Sequence, residues 1–181
     1  MIPKPTNPVT KTASILKTSP AIRTARLAVF SALSVVGSLI KIPSPVGSLA
    51  FDSFPGFFVA LLFGPAEGAL VSGLGHLATA ATSGFPLGIL HIPIAIGMAL
   101  AAAAIGLLNK MHKSFGVIPA LVAGVAINTA LVFPLVPWLA EDINVGWLIA
   151  FGYAPFLVVA ATLNAVVAGI IYLAVRRKLK T

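Results

Sequence analysis

Long apolar runs, separated by short breaks rich in turn-forming or charged residues, organise most of the chain. The runs cover residues 22–40, 51–63, 69–83, 87–108, 117–139 and 147–175. A helix needs about 20 apolar residues to cross the hydrocarbon core of a bilayer. The pattern therefore predicts an all-α integral membrane protein with six transmembrane helices within residues 22–178. Because the second and third runs are short, four crossings with a re-entrant pair is the alternative.

The composition agrees with a bilayer environment and argues against an enzyme. The chain is 59% hydrophobic and 9% charged, whereas soluble domains carry about 25% charged residues. The absence of cysteine excludes disulfides, thiolate metal sites and a cysteine nucleophile. No phosphate-binding loop and no zinc-hydrolase or serine-hydrolase motif occurs in the sequence. We therefore expect no catalysis and no cofactor.

The distribution of basic residues predicts the orientation. With the N-terminus inside the cell, eleven of the twelve lysines and arginines are cytoplasmic, and Lys41 is the exception. Residues 1–21 then form a basic cytoplasmic leader and residues 179–181 a cytoplasmic tail. The net charge of +8 suggests contact with anionic lipid. The basic residues do not form a stripe interleaved with aromatic residues that could stack on bases, so we expect no nucleic-acid partner.

The stretch "IKIPSPVGSLAFDSFPG", residues 40–56, lies on the outer side in this orientation. Its prolines restrict the backbone and predict a semi-rigid loop. Asp52 has two interpretations: it accepts hydrogen bonds from a ligand, or it caps the N-terminus of the next helix. A salt bridge between Asp52 and Lys41 is compatible with either.

Polar residues inside apolar helices often mark a functional pathway. In the third run, Ser72, His76, Thr79 and Ser83 are spaced by four, three and four residues, which places them on one helix face. They either face a ligand or hydrogen-bond between helices. Glu67, at the start of this run, is interpreted as a turn or capping residue.

Further candidate ligand contacts lie in the other runs and outer breaks. Asn128 and Asn164 are each a ligand contact or a helix–helix clamp, because a buried amide needs partners. Tyr153 is about three helical turns from Asn164 and points the same way. His91 and Trp138 lie near the outer interface, where each could also have no binding role. Phe85, in an outer loop bounded by glycine and proline, is a candidate to stack on a flat ligand.

Small residues recur every three or four positions in the first run, at Ala21, Ala25, Ala28 and Ala32. Such a stripe allows another helix to approach closely. It serves either packing within this chain or docking of another membrane subunit.

These features together resemble a known family. The six short helices, the alanine stripe in "ARLAVFSALS" and the polar residues near the outer face are similar to those of the S components of energy-coupling factor (ECF) vitamin transporters. The resemblance covers about residues 22–178. The stretches "IKIPSPVGSLAFDSFPG", "GPAEGALVSGLGHL" and "TSGFPLG" most resemble S components assigned to α-ribazole, the nucleoside of the lower ligand of cobalamin.

The resemblance implies a binding and translocating subunit in the plasma membrane of a prokaryote. Its pocket would lie near the outer face, capped by residues 41–53. A membrane T component and two ABC ATPases, which hydrolyse the ATP, would dock on Ala25, Ala28 and Ala32. The implied pocket candidates are those weighed above: Lys41, Asp52, His76, Thr79, Phe85, His91, Asn128, Trp138, Tyr153 and Asn164. Alternatives are another vitamin, such as riboflavin, pyridoxine or a cobalamin precursor, or a stand-alone secondary transporter.

Overall fold

The structure, a computed structural model, describes residues 19–43, 49–111 and 116–178. The rest of the predicted leader and tail, residues 1–18 and 179–181, and the tip of the first loop, residues 44–48, lie outside the described residues. The helices are α1 (Pro20–Ser38), α2 (Phe54–Leu62), α3 (Pro65–Thr82), α4 (His91–Met111), α5 (Val117–Ala130), α6 (Val132–Leu139) and α7 (Ile143–Lys178), and a 3-10 turn (Gly88–Leu90) precedes α4. The prediction of an all-helical protein is confirmed for the described residues.

Four helical stretches among the described residues are long and apolar enough to cross a membrane: Pro20–Ser38, Gly88–Met111, Val117–Trp138 and Ile143–Lys178. The fifth predicted run contains both α5 and α6, which are separated at Leu131. The second run contains α2, which has nine residues and is about 14 Å long. The third run contains α3, which has 18 residues.

The short helix α2 occupies the centre of the bundle. It packs against α1, α3, α4 and α7. Phe57 and Val59 are almost completely buried, as are most residues of this helix. A helix that is apolar on every side belongs in the interior. Its position explains why so short an element carries no polar face.

Polar contacts gather several helix ends at one end of the bundle, which we call the basic end. Arg26 Nη2 lies 2.9 Å from Glu67 Oε1, and Arg23 Nε lies 3.3 Å from the same oxygen. These ion pairs join the start of α1 to the first turn of α3. Nearby, the Asn109 side chain of α4 donates to the carbonyl of Leu61 at the end of α2. Glu67 thus lies inside the first turn of its helix, where it pairs with two arginines. The interpretation as a turn or capping residue is wrong, because the N-cap of α3 is Gly64.

A hairpin joins α1 to α2 at the opposite end. Its arms form an antiparallel bridge between Lys41 and Ala50. The backbone N–H of Ile42 donates to the carbonyl of Leu49 at 2.8 Å, and that of Phe51 donates to the carbonyl of Ile40 at 3.1 Å. These bonds hold the described part of the hairpin, residues 41–43 and 49–50, against the end of α1.

Gly37 allows the second arm of the hairpin and the residues that follow it, Phe51 and Asp52, to approach α1 closely. A Cβ atom at this position would overlap the carbonyl oxygen of Phe51. Because a backbone atom blocks the space, no side-chain rotation can relieve the contact. The absence of a side chain at residue 37 therefore helps to position the segment that leads into Asp52.

We predict that Gly37→Ala lowers the stability of the protein by about 1–3 kcal/mol, the usual cost of forcing extra atoms into a packed interior. The matched control is Gly152→Ala in α7, where a Cβ would meet nothing within 4 Å and alanine favours the helix. Thermal unfolding in detergent measures both. Equal stability of the two variants would contradict the close packing at Gly37.

Candidate ligand-binding site

A cavity of about 230 Å³ lies beside the start of α2. Residues of α3, α4, α5, α6 and α7 form its walls, and Leu49 and Ala50 of the hairpin contribute to one side. Most lining residues are apolar. The polar lining residues are Asp52, Ser53, His76, Asn128, Tyr153 and Asn164. An apolar cavity with a few convergent polar groups is the usual form of a small-molecule site.

Asn164 of α7 uses its amide to join three parts of the chain. Its Oδ1 accepts from the backbone N–H groups of Ser53 and Phe54, at 3.1 and 2.8 Å. Its Nδ2 donates to the carbonyls of Ala50 and Ala160, at 3.0 and 2.9 Å. An amide side chain has two donor hydrogens and two acceptor lone pairs. All four are therefore used within the protein, and Asn164 has the geometry of a clamp.

Asp52 is 5% exposed and does not cap α2. The N-cap residue is Ser53, which makes no side-chain capping bond. Asp52 Oδ1 instead accepts from the Ser53 hydroxyl at 2.8 Å, and Oδ2 accepts from the Thr79 hydroxyl at 2.5 Å. The capping interpretation is therefore wrong, because the first N–H groups of α2 bind Asn164 and not Asp52.

The salt bridge between Asp52 and Lys41, which either interpretation of Asp52 allowed, does not form, and Lys41 contacts the end of α3 instead. Lys41 Nζ donates to the Ser83 hydroxyl at 2.7 Å and to the Thr82 hydroxyl at 3.4 Å. Lys41 thereby ties the base of the hairpin to the end of α3. It is exposed and does not line the cavity.

A directional chain of hydrogen bonds connects Leu87 to His76. The backbone N–H of Leu87 donates to His91 Nε2 at 3.3 Å, so this nitrogen is an acceptor. The proton of the neutral His91 ring then lies on Nδ1, which is 3.1 Å from His76 Nε2. His76 Nε2 accepts it and carries its own proton on Nδ1, 4.0 Å from Asp52 Oδ2. This separation is too long for a direct hydrogen bond.

Asn128 and Tyr153 differ from the polar residues above. Both line the cavity and are partly exposed. Neither side chain makes a hydrogen bond to another residue in the described part of the chain. The amide of Asn128 and the hydroxyl of Tyr153 are thus available to a ligand, whereas the amide of Asn164 is not.

The other candidate residues lie outside the cavity lining. Thr79 is buried behind Asp52, and His91 is buried behind His76. Phe85 is half-exposed, with its ring centroid 5.9 Å from that of His91. Trp138 is 80% exposed, which fits the interfacial position that tryptophan commonly takes in membrane proteins.

Sequence reasoning missed the apolar walls and Ser53. The walls include Met98 of α4, Leu131 and Leu135 near the break between α5 and α6, and Leu157 of α7. On helices that are apolar almost throughout, no periodicity separates cavity-facing from lipid-facing side chains. The one available signal was the interruption of the fifth run by Pro134 and Pro137, because prolines disturb helices.

The alanine stripe of α1 lies on its outward face. Ala25, Ala28 and Ala32 are exposed, and Val29 beside them is 64% exposed. In contrast, Ser34, Gly37 and Ser38 face the bundle. The stripe therefore does not serve packing within the described part of this chain.

The model of the ECF transporter substrate-specific component family matches residues 23–175, most of the chain. The chain belongs to this family. It is therefore a multi-pass membrane protein of the type that serves as the substrate-binding subunit of an ECF transporter. Membership implies a small-molecule substrate and partnership with an ECF T component and ATPases. We found no curated protein and no solved structure that matches the chain.

We predict that Asn164→Leu destabilises the protein by at least about 1–3 kcal/mol, because it leaves buried N–H and C=O groups without partners. The same change at Asn128, Asn128→Leu, breaks no hydrogen bond to a described residue and should alter stability by about 0.5 kcal/mol or less. Thermal unfolding of both variants without ligand makes the comparison. Similar losses in the two variants would show that Asn128 is also structural.

Proposed function

We propose that this chain binds a vitamin or vitamin precursor on the outer side of a prokaryotic plasma membrane and translocates it as the S component of an ECF importer. The observation that carries the proposal is the cavity, in which unbonded polar groups of α5 and α7 converge with Asp52 inside apolar walls. Family membership supplies the transport class. The ATP would be hydrolysed by the partner subunits.

The proposed topology is six crossings with both termini in the cytoplasm. The orientation is supported by the basic residues and the cavity lying at opposite ends of the bundle. Arg23, Arg26 and Lys110 lie at the basic end, where Lys110 Nζ is close to Gly64. The cavity and the hairpin lie at the other end. The positive-inside rule places the basic end in the cytoplasm, which leaves the cavity near the outer face with the hairpin over it.

We propose α-ribazole as the ligand, with riboflavin, pyridoxine or a cobalamin precursor as alternatives. A benzimidazole ring requires apolar walls, and Met98, Leu131 and Leu157 provide them. A ribose requires several donors and acceptors close together. The proposed direct contacts to the ligand are Asp52, His76, Asn128 and Tyr153.

The other candidate residues have supporting roles or stay predictions. Thr79 positions Asp52, and His91 positions His76. Asn164 holds the hairpin. Direct contacts to the ligand from Lys41, Phe85 and Trp138 stay predictions.

We predict that the purified protein binds α-ribazole saturably, and that Asn128→Ala and Tyr153→Phe each weaken binding about fivefold, because each removes about one hydrogen bond worth about 1 kcal/mol. Leu148→Ala, at a residue 75% exposed on α7, is the control and should bind normally. Calorimetric titration gives the affinities, and native mass spectrometry identifies any other small molecule that copurifies. Saturable binding of no vitamin-like molecule would contradict the proposal.

We predict that Ala28→Leu prevents assembly with the T component and ATPases while ligand binding is retained, because a larger side chain blocks the close approach of a partner helix. Ala126→Leu, on an exposed position of α5, is the matched control and should assemble normally. Copurification of the four subunits is the measurement. Substrate uptake in cells that lack the ATPases would instead support a stand-alone transporter.

A further inference from the structure

We propose that the cavity selects an uncharged or cationic ligand, which it anchors on Asp52 through N–H or O–H donors, and rejects phosphorylated and other anionic molecules. This inference rests on the proposed function, because it names the substrate class of the same cavity. It depends on the charges that reach the cavity and on how the partners of Asp52 are arranged.

The described lining of the cavity carries a single formal charge, which is negative. Asp52 is the one carboxylate among the described lining residues, and no lysine or arginine is among them. Lys41 is bound to Thr82 and Ser83 at the outer end of α3. Arg23 and Arg26 bind Glu67 at the basic end. An anionic group in the cavity would therefore meet Asp52 and no compensating cation from the described residues.

Asp52 has two hydrogen-bond partners among the described residues, and both are neutral. Both carboxylate oxygens accept hydroxyl hydrogens, one from Ser53 and one from Thr79. An ionised carboxylate offers about four acceptor positions, so positions remain for donors from a ligand. The two hydroxyl groups are neutral and do not balance the charge.

His76 does not act as a fixed counter-charge to Asp52. The backbone N–H of Leu87 can only donate, so it requires His91 Nε2 to be unprotonated. His91 Nδ1 then donates to His76 Nε2, and a proton on that nitrogen would place two donors 3.1 Å apart. The chain of hydrogen bonds is therefore consistent with a neutral His76 ring. In this state no cation lies beside Asp52 in the described part of the protein.

A buried charge without an ionic partner is unfavourable. A ligand that brings a cation or several N–H and O–H donors to Asp52 relieves this cost and gains affinity. A ligand with a phosphate or carboxylate in the cavity adds a second uncompensated negative charge. The same carboxylate thus destabilises the empty protein and discriminates between ligands by charge.

The first test needs no ligand and compares two acids of this chain. Asp52→Asn should raise the unfolding temperature of the ligand-free protein by about 2–4 °C, because a neutral amide of the same shape replaces the unpaired charge. The Thr79 hydroxyl can donate its hydrogen to the Gly75 carbonyl, which lies 3.3 Å away. Its oxygen can then accept a hydrogen bond from the new amide. Glu67→Gln is the matched control and should lower the unfolding temperature, because Glu67 pairs with two arginines. A loss of stability in both variants would overturn the proposal.

The second test measures charge selection directly. The full-length protein is titrated with matched pairs: α-ribazole and its 5′-phosphate, riboflavin and its phosphate, and pyridoxine and its phosphate. In any pair that binds, the phosphorylated member should bind at least about 100-fold more weakly, since like charges at close range cost several kcal/mol. Asp52→Asn should weaken binding of the neutral member at least about fivefold and reduce the discrimination. Equal or tighter binding of the phosphorylated member would overturn the inference.

Failure of the proposed function has a different signature. It would appear as absence of saturable binding to every pair together with uptake that continues without the ATPases. The unfolding temperatures of Asp52→Asn and Glu67→Gln require neither ligand nor partner subunits. They therefore decide whether Asp52 is an unpaired charge even if the transport assignment is wrong.

Discussion

The four hydrogen bonds of Asn164 are the constraint on which the cavity depends. The helix α2 is short and begins inside the protein, so its first N–H groups cannot be satisfied by water. Asn164 supplies an acceptor to two of them, and the same amide donates to Ala50 in the returning arm of the hairpin. One side chain therefore sets the position of α2, the hairpin and α7 relative to each other. Because Asn164 performs the cap, Asp52 is left available to the cavity.

The two ends of the bundle treat their acidic residues in opposite ways. At the basic end, Glu67 lies between Arg23 and Arg26, which lock the start of α1 to α3. At the cavity end, Asp52 has only the neutral hydroxyl groups of Ser53 and Thr79 within hydrogen-bond distance among the described residues. An acid that is compensated by arginines stabilises the fold. An acid that lacks such compensation has more to gain from a ligand, and this asymmetry agrees with a binding site at one end.

The outward face of α1 is separate from the cavity, because no described residue of α1 lines the cavity. Ala25, Ala28 and Ala32 lie on the exposed side of a helix whose last turn contacts the hairpin through Gly37. A partner helix on the alanine stripe would thus contact the same element that supports the hairpin. In the proposed transporter, α1 is the physical connection between the docking surface and the loop over the ligand.

The sequence by itself determined the helical class, the bilayer environment and the division of charge between two ends. It also named five polar residues that line the cavity: Asp52, His76, Asn128, Tyr153 and Asn164. These follow from local properties, namely run length, hydropathy and residue type. Only the tertiary structure decided that Asn164 is used by the protein while Asn128 is unbonded among the described residues, that Asp52 does not cap α2, and which leucines face the cavity. Each of these depends on contacts between distant parts of the chain, such as the hydrogen bond between Ser53 and Asn164, which are 111 residues apart. In addition, an apolar helix has no pattern that reveals which neighbour each of its faces will contact.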